Sequence, residues 1–267
     1  CPWVNCALAK NHKLIKAITL KYIGFLRRIN FDTTGQTSYG KRMTRTETAP
    51  ERAARAIRNL IKRNGLGPGD SLPAQRELAA TLGISRASLR EALATLEAMG
   101  LIRVLAGKGA YVADPHDGMP RDDNQKRQAA QVYQFRLAIE PYVAGLAAQA
   151  RTRDHLIALQ RSIDDMQTAF EADDLITAAN ADTEFHEILL SASGNPLFAA
   201  AIFPAAQTIH ENQMLPFANA AAIKAPLREH EQILRYVRDR NPSGARDAMH
   251  FHVLSAATRA NIAFLRP

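Results

Sequence analysis

Asp182 and His186 stand four residues apart, and His230 and His252 follow in the same half of the chain. On a helix, residues at i and i+4 project from one face about one turn apart, so a carboxylate and an imidazole would be presented together. Joined inside a helical bundle by two further imidazoles, they would hold Zn²⁺, with Ni²⁺, Mn²⁺ or Fe²⁺ as alternatives, and leave coordination positions open for a ligand. Spacing alone also allows a plainer reading, in which each histidine is an ordinary hydrogen-bonded or surface residue. His250 competes with His252, but residues two apart on a helix point about 160° away from each other, so only one can face such a site. Geometry alone does not choose between them, while His116, His155 and His210 fit no pattern and are expected at the surface.

A second chemistry is carried by Arg86 and Arg90. They are also four apart, and at the N-terminal end of a helix two neighbouring guanidiniums can fork onto guanine O6 and N7 or clamp a phosphate. A lone pair of arginines could equally decorate a small α/β domain, so the elements around them decide.

Those elements lie within residues 72–112. Leu78, Ala79 and Leu82 give one apolar face over 74–82, Pro73 suits a first helical turn, and Gly83 ends the helix. Ser85 is a good N-cap for a second helix, whose Leu89, Leu93 and Leu96 form a buried stripe and leave Arg86 and Arg90 on the other side. After Gly100, residues 101–105 and 110–112 read as two short strands. Between them, Gly107 and Gly109 permit positive φ and close backbone approach to a phosphate, and Lys108 adds charge at the tip. Helix, turn, capped helix and wing in this order predict a winged helix-turn-helix with its second helix in the major groove.

Length and charge set the frame. A chain of 267 residues can build two cores. Its net charge of +8 is uneven: residues 1–42 hold eight basic side chains against one acid, residues 43–114 eleven against seven, and residues 115–267 fifteen against eighteen. A mildly basic unit thus precedes a slightly acidic one, as expected if one faces phosphates and the other does not. Residues 1–42 contain both cysteines and the single tryptophan, and Met43 precedes a polar lead into a helix from Ala53. We read residues 1–42 as a basic extension, non-native or disordered, with Met43 as the natural start. The alternative is an amphipathic helix, with Leu14, Ile15, Ile18, Tyr22, Phe25, Leu26 and Ile29 on one face, lying on an anionic membrane or adding a basic arm to DNA. No apolar run reaches eighteen residues and no secretory signal is recognisable, so a cytoplasmic protein is expected.

Residues 115–125, broken by Pro115, Gly118 and Pro120, read as a linker. Beyond it, apolar periodicity near 126–151, 153–171, 173–193, 196–214, 221–240 and 243–265 predicts an all-α bundle of about six helices. The expected fold is mainly α, an N-terminal winged helix over 43–114 and a C-terminal bundle over 126–267.

The winged-helix segment resembles the DNA-binding domain of the GntR family of bacterial transcription regulators. Leu72-Pro73, Arg76 to Ala79, Leu82 to Arg86, Arg90 to Leu93 and Gly107 to Val112 match that family's pattern in order. The resemblance implies that Arg76, Arg86 and Arg90 touch DNA, with Ser85 and Gly107 near phosphates. Gln75 departs from the glutamate usual before the first-helix arginine, which removes a partner that could orient Arg76. The second half resembles the FCD ligand-binding domain of the FadR branch: Asp182-x-x-Phe185-His186, Ser193 to Pro196, His230 with Ile233, and Ala245-x-x-Ala248-Met249-x-x-His252. There the resemblance implies that Asp182, His186, His230 and His252 bind metal. Arg136-x-x-x-Glu140-Pro141 is similar to a first-helix pattern of that domain whose arginine looks into the effector pocket; a surface ion pair between Arg136 and Glu140 is the competing reading. Gln213 and Asn219 are further pocket candidates that spacing does not place.

Together these readings describe a homodimeric DNA-binding regulator, expected to be a repressor, that binds a twofold-symmetric operator and responds to a small organic or sugar acid at a divalent metal, Zn²⁺ foremost. Two rivals remain at this level: a metal-dependent enzyme fused to a DNA-binding domain, and a constitutive DNA-binding protein with an inactive sensor. Glu187 adjoins His186 and is expected to point elsewhere, which leaves the enzyme without a placed general base.

Overall fold

The computed structural model describes residues 48–114, 123–213 and 224–263. The extension of residues 1–42, Met43, His116, Asn219 and most of the expected linker lie outside the described residues.

Helix α1 (Ala49–Arg63) opens on a capping box. The Thr48 side chain accepts from the Glu51 N–H, and the Glu51 carboxylate accepts from the Thr48 N–H at 2.8 Å. This reciprocal cap starts the helix four residues ahead of the periodic stretch expected from Ala53. In α2 (Gln75–Leu82) the N-cap is Ala74, so Pro73 stands just outside the helix rather than in its first turn. Gly83 then takes φ 63°, a left-handed conformation that costs glycine little, and turns the chain into α3 (Arg86–Ala98). Ser85 caps α3 by accepting from the Ser88 N–H at 3.1 Å.

The wing comes next. Strands β1 (Ile102–Leu105) and β2 (Gly109–Val112) pair antiparallel from Ile102 opposite Val112 to Leu105 opposite Gly109. Gly107 at φ 73° and Gly109 at φ 115° make the tight tip possible. Glu97 at the end of α3 accepts from the Val104 N–H at 2.7 Å, tying the wing to the helix that precedes it. Ile57 from α1, Leu78 from α2, Leu89, Leu93 and Leu96 from α3 and Ile102 from β1 are all buried in one apolar cluster.

The second domain comprises α4 (Asp123–Ala150), α5 (Arg153–Glu171), α6 (Leu175–Ala192), α7 (Pro196–Ile202), α8 (Ala206–Gln213), α9 (Lys224–Arg238) and α10 (Pro242–Arg259). Helix α4 begins at Asp123, inside the stretch read as linker. The single helix expected over 196–214 is broken instead into α7, a 3₁₀ turn at Phe203–Ala205, and α8. Pro204 explains the break, because it has no N–H to continue the helical ladder. Helix α6 is central, packed against α4 on one side and α5 on the other, and α10 lies along α4. Phe185, Ile188 and Leu189 of α6 join Tyr133, Val143, Ile233 and Val253 in the main core.

The two domains meet directly. The apolar cluster of the winged helix continues into Met166, Ala169, Leu175, Ile176 and Ala179 of α5 and α6. Polar contacts rim this junction. Asp173, at φ 53° in the α5–α6 turn, meets Arg58 and Lys62 of α1, Asp174 meets Arg55 at 3.4 Å, and Asn180 donates to Glu51 at 3.2 Å. Aspartate tolerates the left-handed conformation better than most residues, and here it turns both its carbonyl and its carboxylate toward Arg58. Helix α8 also touches α3.

Candidate metal centre and nucleic-acid interface

Four helical positions converge on one buried point. Asp182 and His186 come from successive turns of α6, His230 from α9 and His252 from α10. One ligand atom from each of the four lies within 4.8 Å of the others, and all four residues are buried. Asp182 Oδ1 is 3.5 Å from His230 Nε2, Asp182 Oδ2 is 4.0 Å from His186 Nε2, and the Nε2 atoms of His186 and His252 are 3.3 Å apart. Atoms bonded to a common ion at about 2.1 Å cannot be more than about 4.2 Å apart, so these separations suit one ion after a small contraction of the widest pair.

The donors fit such an ion for a second reason. His230 is wholly buried, yet among the described residues neither of its ring nitrogens has a hydrogen-bond partner. A buried polar atom without a partner costs about 1–3 kcal/mol, and coordination would remove that cost at Nε2. Phe185 stacks on the His230 ring with centroids 4.2 Å apart and planes 9° from parallel, which fixes the direction in which Nε2 points.

Burial sets the protonation of the site. It pushes His230 well below its ordinary pKa, with the neighbouring His252 and His186 adding to the effect. It also lowers His252, although the hydrogen bond to Glu229 works in the opposite direction. Both imidazoles are therefore held neutral, the form that binds metal. The unfolded chain takes up protons on these residues near the ordinary value of about 6.5, whereas the folded chain does not. Their contribution to stability is complete above that pH and declines as the pH falls through it. We expect the metal-free protein to melt at a lower temperature at pH 5 than at pH 7.5, with metal affinity falling over the same range. A melting temperature that rises on acidification would contradict this account.

Arg136 and Glu140 surround the cluster. They form the i,i+4 pair expected on a helix surface, with Arg136 Nε donating to Glu140 Oε1 at 2.7 Å and Nη2 to Oε2 at 3.1 Å, but both residues are buried. The ion pair is therefore a buried one rather than a surface one, and Arg136 Nη2 also lies 3.4 Å from His186 Nε2. Burial alone would raise the Glu140 carboxyl, but Arg136 and His186 outweigh it and hold the group far below the carboxylate range. Burial would likewise lower Arg136, and the Glu140 charge reverses the direction.

Beside these residues is a cavity of about 40 Å³, lined by Glu140, His186, Thr183, Gln213 and an apolar wall that includes Val143, Ile209 and Met249. Gln213, which spacing could not place, is therefore part of the lining. Glu187, expected to point elsewhere, lines it too. Two histidines depart from their expected surface positions. His210 contacts Thr183 Oγ1 at 3.0 Å through Nδ1. His155 is 2% exposed and completes the capping box of α5 with Thr152. His250 is exposed and His252 buried. Sequence reasoning missed Glu229 and Arg259: Glu229 meets His252 Nδ1 at 2.8 Å and receives both terminal nitrogens of Arg259.

On the winged helix, Arg76, Ser85, Arg86, Arg90, Gly107 and Lys108 are all exposed. Ser85 is engaged as the α3 cap, with its hydroxyl 3.0 Å from that of Ser88. Among the described residues no ion pair occupies Arg76, Arg86, Arg90 or Lys108, which contrasts with Arg55, Arg58 and Lys62 at the domain junction. Arg86 lies in the first turn of α3 and Arg90 one turn on, where a helix entering a major groove presents its contacts.

Known proteins share both halves. Residues 50–112 match the family profile described as bacterial regulatory proteins, gntR family, and residues 131–255 match the FCD domain. The HTH-type transcriptional repressor NanR of Klebsiella aerogenes is 28% identical over 217 residues, covering 75% of this chain and 81% of that protein. The NanR of Salmonella newport is 29% identical over 245 residues, covering 83% and 90%. A solved structure, Streptococcus agalactiae GntR, aligns at 28% identity and a TM-score of 0.44 over 79% of this chain and 99% of that one. The NanR relatives are by name transcriptional repressors. With the winged helix matched over α1 to β2, and the helices that carry the Asp–His cluster matched as an FCD domain, the chain belongs to the GntR family of bacterial regulatory proteins.

Proposed function

We propose that this regulator is a repressor whose operator affinity is set by a small organic or sugar acid bound beside a divalent metal ion in the FCD domain. The convergence of Asp182, His186, His230 and His252 on one buried point carries the reading, and the repressor names of its relatives support it. An ion held by these four residues, Zn²⁺ foremost with Ni²⁺, Mn²⁺ and Fe²⁺ as alternatives, would supply a Lewis-acidic anchor for a carboxylate oxygen. Arg136 would take the other oxygen through its guanidinium fork, sharing it with Glu140. Thr183 and Gln213 would take hydroxyl or carbonyl groups of the acid.

The cavity beside this site is small. At about 40 Å³ it holds little more than a water molecule, so an organic acid enters only if the wall yields. The segment from α7 to α8 supplies Ile202, Ile209 and Gln213 to that wall, and α8 touches α3, the helix that carries Arg86 and Arg90. Displacing α8 would therefore reach the DNA-reading helix directly, in addition to any route through the segment joining the domains. Helix α6 offers a second route, because it carries Asp182 and His186 and meets α1 through Asn180. An effector shifts DNA affinity only by its differential affinity for two such arrangements.

One winged helix buries too little surface for high specificity, so two copies of the chain would read an operator with twofold symmetry in the bacterial cytoplasm. Among the described residues no helix is long and apolar enough to cross a membrane.

The deciding experiment is a mobility shift on DNA flanking the protein's own gene, with metal-loaded protein and a panel of carboxylic and sugar acids. At least one acid is expected to change operator affinity about 5- to 150-fold, the usual range of allosteric coupling. If none does, a constitutive DNA-binding protein with a silent sensor replaces this reading.

A further inference from the structure

Two of the three clustered histidines are backed on their far side by a carboxylate, and each carboxylate is gripped by an arginine. His252 Nδ1 meets Glu229 Oε2 at 2.8 Å, and Arg259 closes on the same carboxylate with Nη1 to Oε1 at 2.6 Å and Nη2 to Oε2 at 2.8 Å. His186 Nδ1 lies 3.1 Å from Glu140 Oε2, without the alignment of a full hydrogen bond, and Arg136 holds Glu140 at both oxygens. All these groups are buried or nearly so.

A carboxylate accepts, so the proton of a neutral His252 belongs on Nδ1, where Glu229 takes it. The lone pair is then on Nε2, the atom that faces His186 Nε2 across the site. Glu229 thus selects the tautomer and fixes the ring plane, and the Arg259 fork prevents the carboxylate from swinging away. The relation crosses three places in sequence: Glu229 lies on α9 beside His230, while His252 and Arg259 lie on α10.

We infer that Glu229, clamped by Arg259, is a positioning residue for His252 and sets the metal affinity of the site, with the Arg136-held Glu140 in the same role toward His186. The inference rests on the metal reading above. It assigns a metal-tuning task to Arg259, which no spacing in the sequence marks. It also gives Arg136 a task besides the effector contact proposed above, since the arginine that donates to both oxygens of Glu140 steadies the support of a ligand.

The test is titration of the purified full chain with Zn²⁺ against a chromophoric chelator, with Co²⁺ absorption as a report on ligand geometry. Glu229→Gln is expected to weaken metal binding about 10- to 100-fold, the usual effect of losing such a partner, and to alter the Co²⁺ spectrum. Arg259→Ala is expected to weaken binding by a smaller factor, with Arg259→Lys between it and the unmodified protein. If the Glu229–Arg259 pair merely staples α9 to α10, these variants will lower the melting temperature of the metal-free protein and leave Zn²⁺ affinity within about twofold, far short of the outer-shell effect, which overturns the inference. Should Glu229→Gln not fold, the Arg259 variants and Glu140→Gln carry the same comparison. An unmodified protein that takes up neither Zn²⁺ nor Co²⁺ defeats the metal reading itself, an outcome distinct from equal affinity in protein and variants.

Discussion

Replacing His230 with alanine is expected to reduce metal uptake more than any other single change, lowering Zn²⁺ affinity by more than about 100-fold, beyond the effect usual for losing an outer-shell partner. His230 is the most enclosed residue of the cluster, and its ring is already pinned by Phe185, so the alanine removes a ligand that is oriented in advance. The stability change should depend on the metal. Metal present at about a hundredfold above its Kd stabilises the native state by about 2.7 kcal/mol, and the variant forgoes that gain. In the metal-free protein two effects oppose each other. The alanine removes two buried ring nitrogens that lack hydrogen-bond partners among the described residues, relieving a cost of about 1–3 kcal/mol each at most, but it also opens a void beside Phe185. The variant should therefore melt much closer to the unmodified protein without metal than with it. Metal analysis of the purified variant and paired melts with and without Zn²⁺ check this, and a full complement of metal in His230→Ala would remove His230 from the site.

The second large effect is expected on the winged helix. Arg86→Ala and Arg90→Ala should each lose about 1–3 kcal/mol of operator binding at fixed salt, the worth of a good bidentate base contact. Neither arginine is held in an ion pair among the described residues, and both belong to the exposed side of α3, whose other side holds Leu89, Leu93 and Leu96 in the core. Loss confined to specific DNA would mark a base contact. Loss shared equally by unrelated DNA would mark a phosphate contact, and unchanged affinity for both would refute the assignment. Folding should be indifferent to these changes, so metal content serves as an internal control.

The local grammar of the winged helix could be read from sequence because each device acts over a few residues. Ser85 caps α3 from the position just before it, Gly83 and Gly107 supply left-handed backbone, and the leucines of α3 repeat at helical spacing. The metal candidates were legible for a related reason: Asp182 and His186 are helical neighbours, and the resemblance strengthened the addition of His230 and His252. Misjudged features depended on partners distant in sequence or on one residue's effect on a longer pattern. Pro204 interrupts a stretch whose apolar periodicity runs on unbroken. His155 and His210 looked unattached because a cap and a contact on another helix leave no periodic trace. Glu229 is one residue from a ligand, yet it serves the other ligand helix, a relation visible only once α9 and α10 are packed together. The direct meeting of the domains was also hidden, since Asp173 reads as an ordinary turn residue until Arg58 is beside it.

That meeting alters the ionic bookkeeping of DNA binding. Arg55, Arg58 and Lys62 belong to the basic unit, but their charges are directed to Asp173 and Asp174. Cations so engaged displace no condensed counterions from a duplex, so the salt slope of operator binding should reflect fewer phosphates than the basic residues of the unit suggest. These ion pairs are partly exposed, and at about 0.1 M salt charges are screened over roughly 10 Å. Raising the ionic strength therefore loosens the hold on DNA and the hold between the domains together, so that one salt titration reads two linked equilibria.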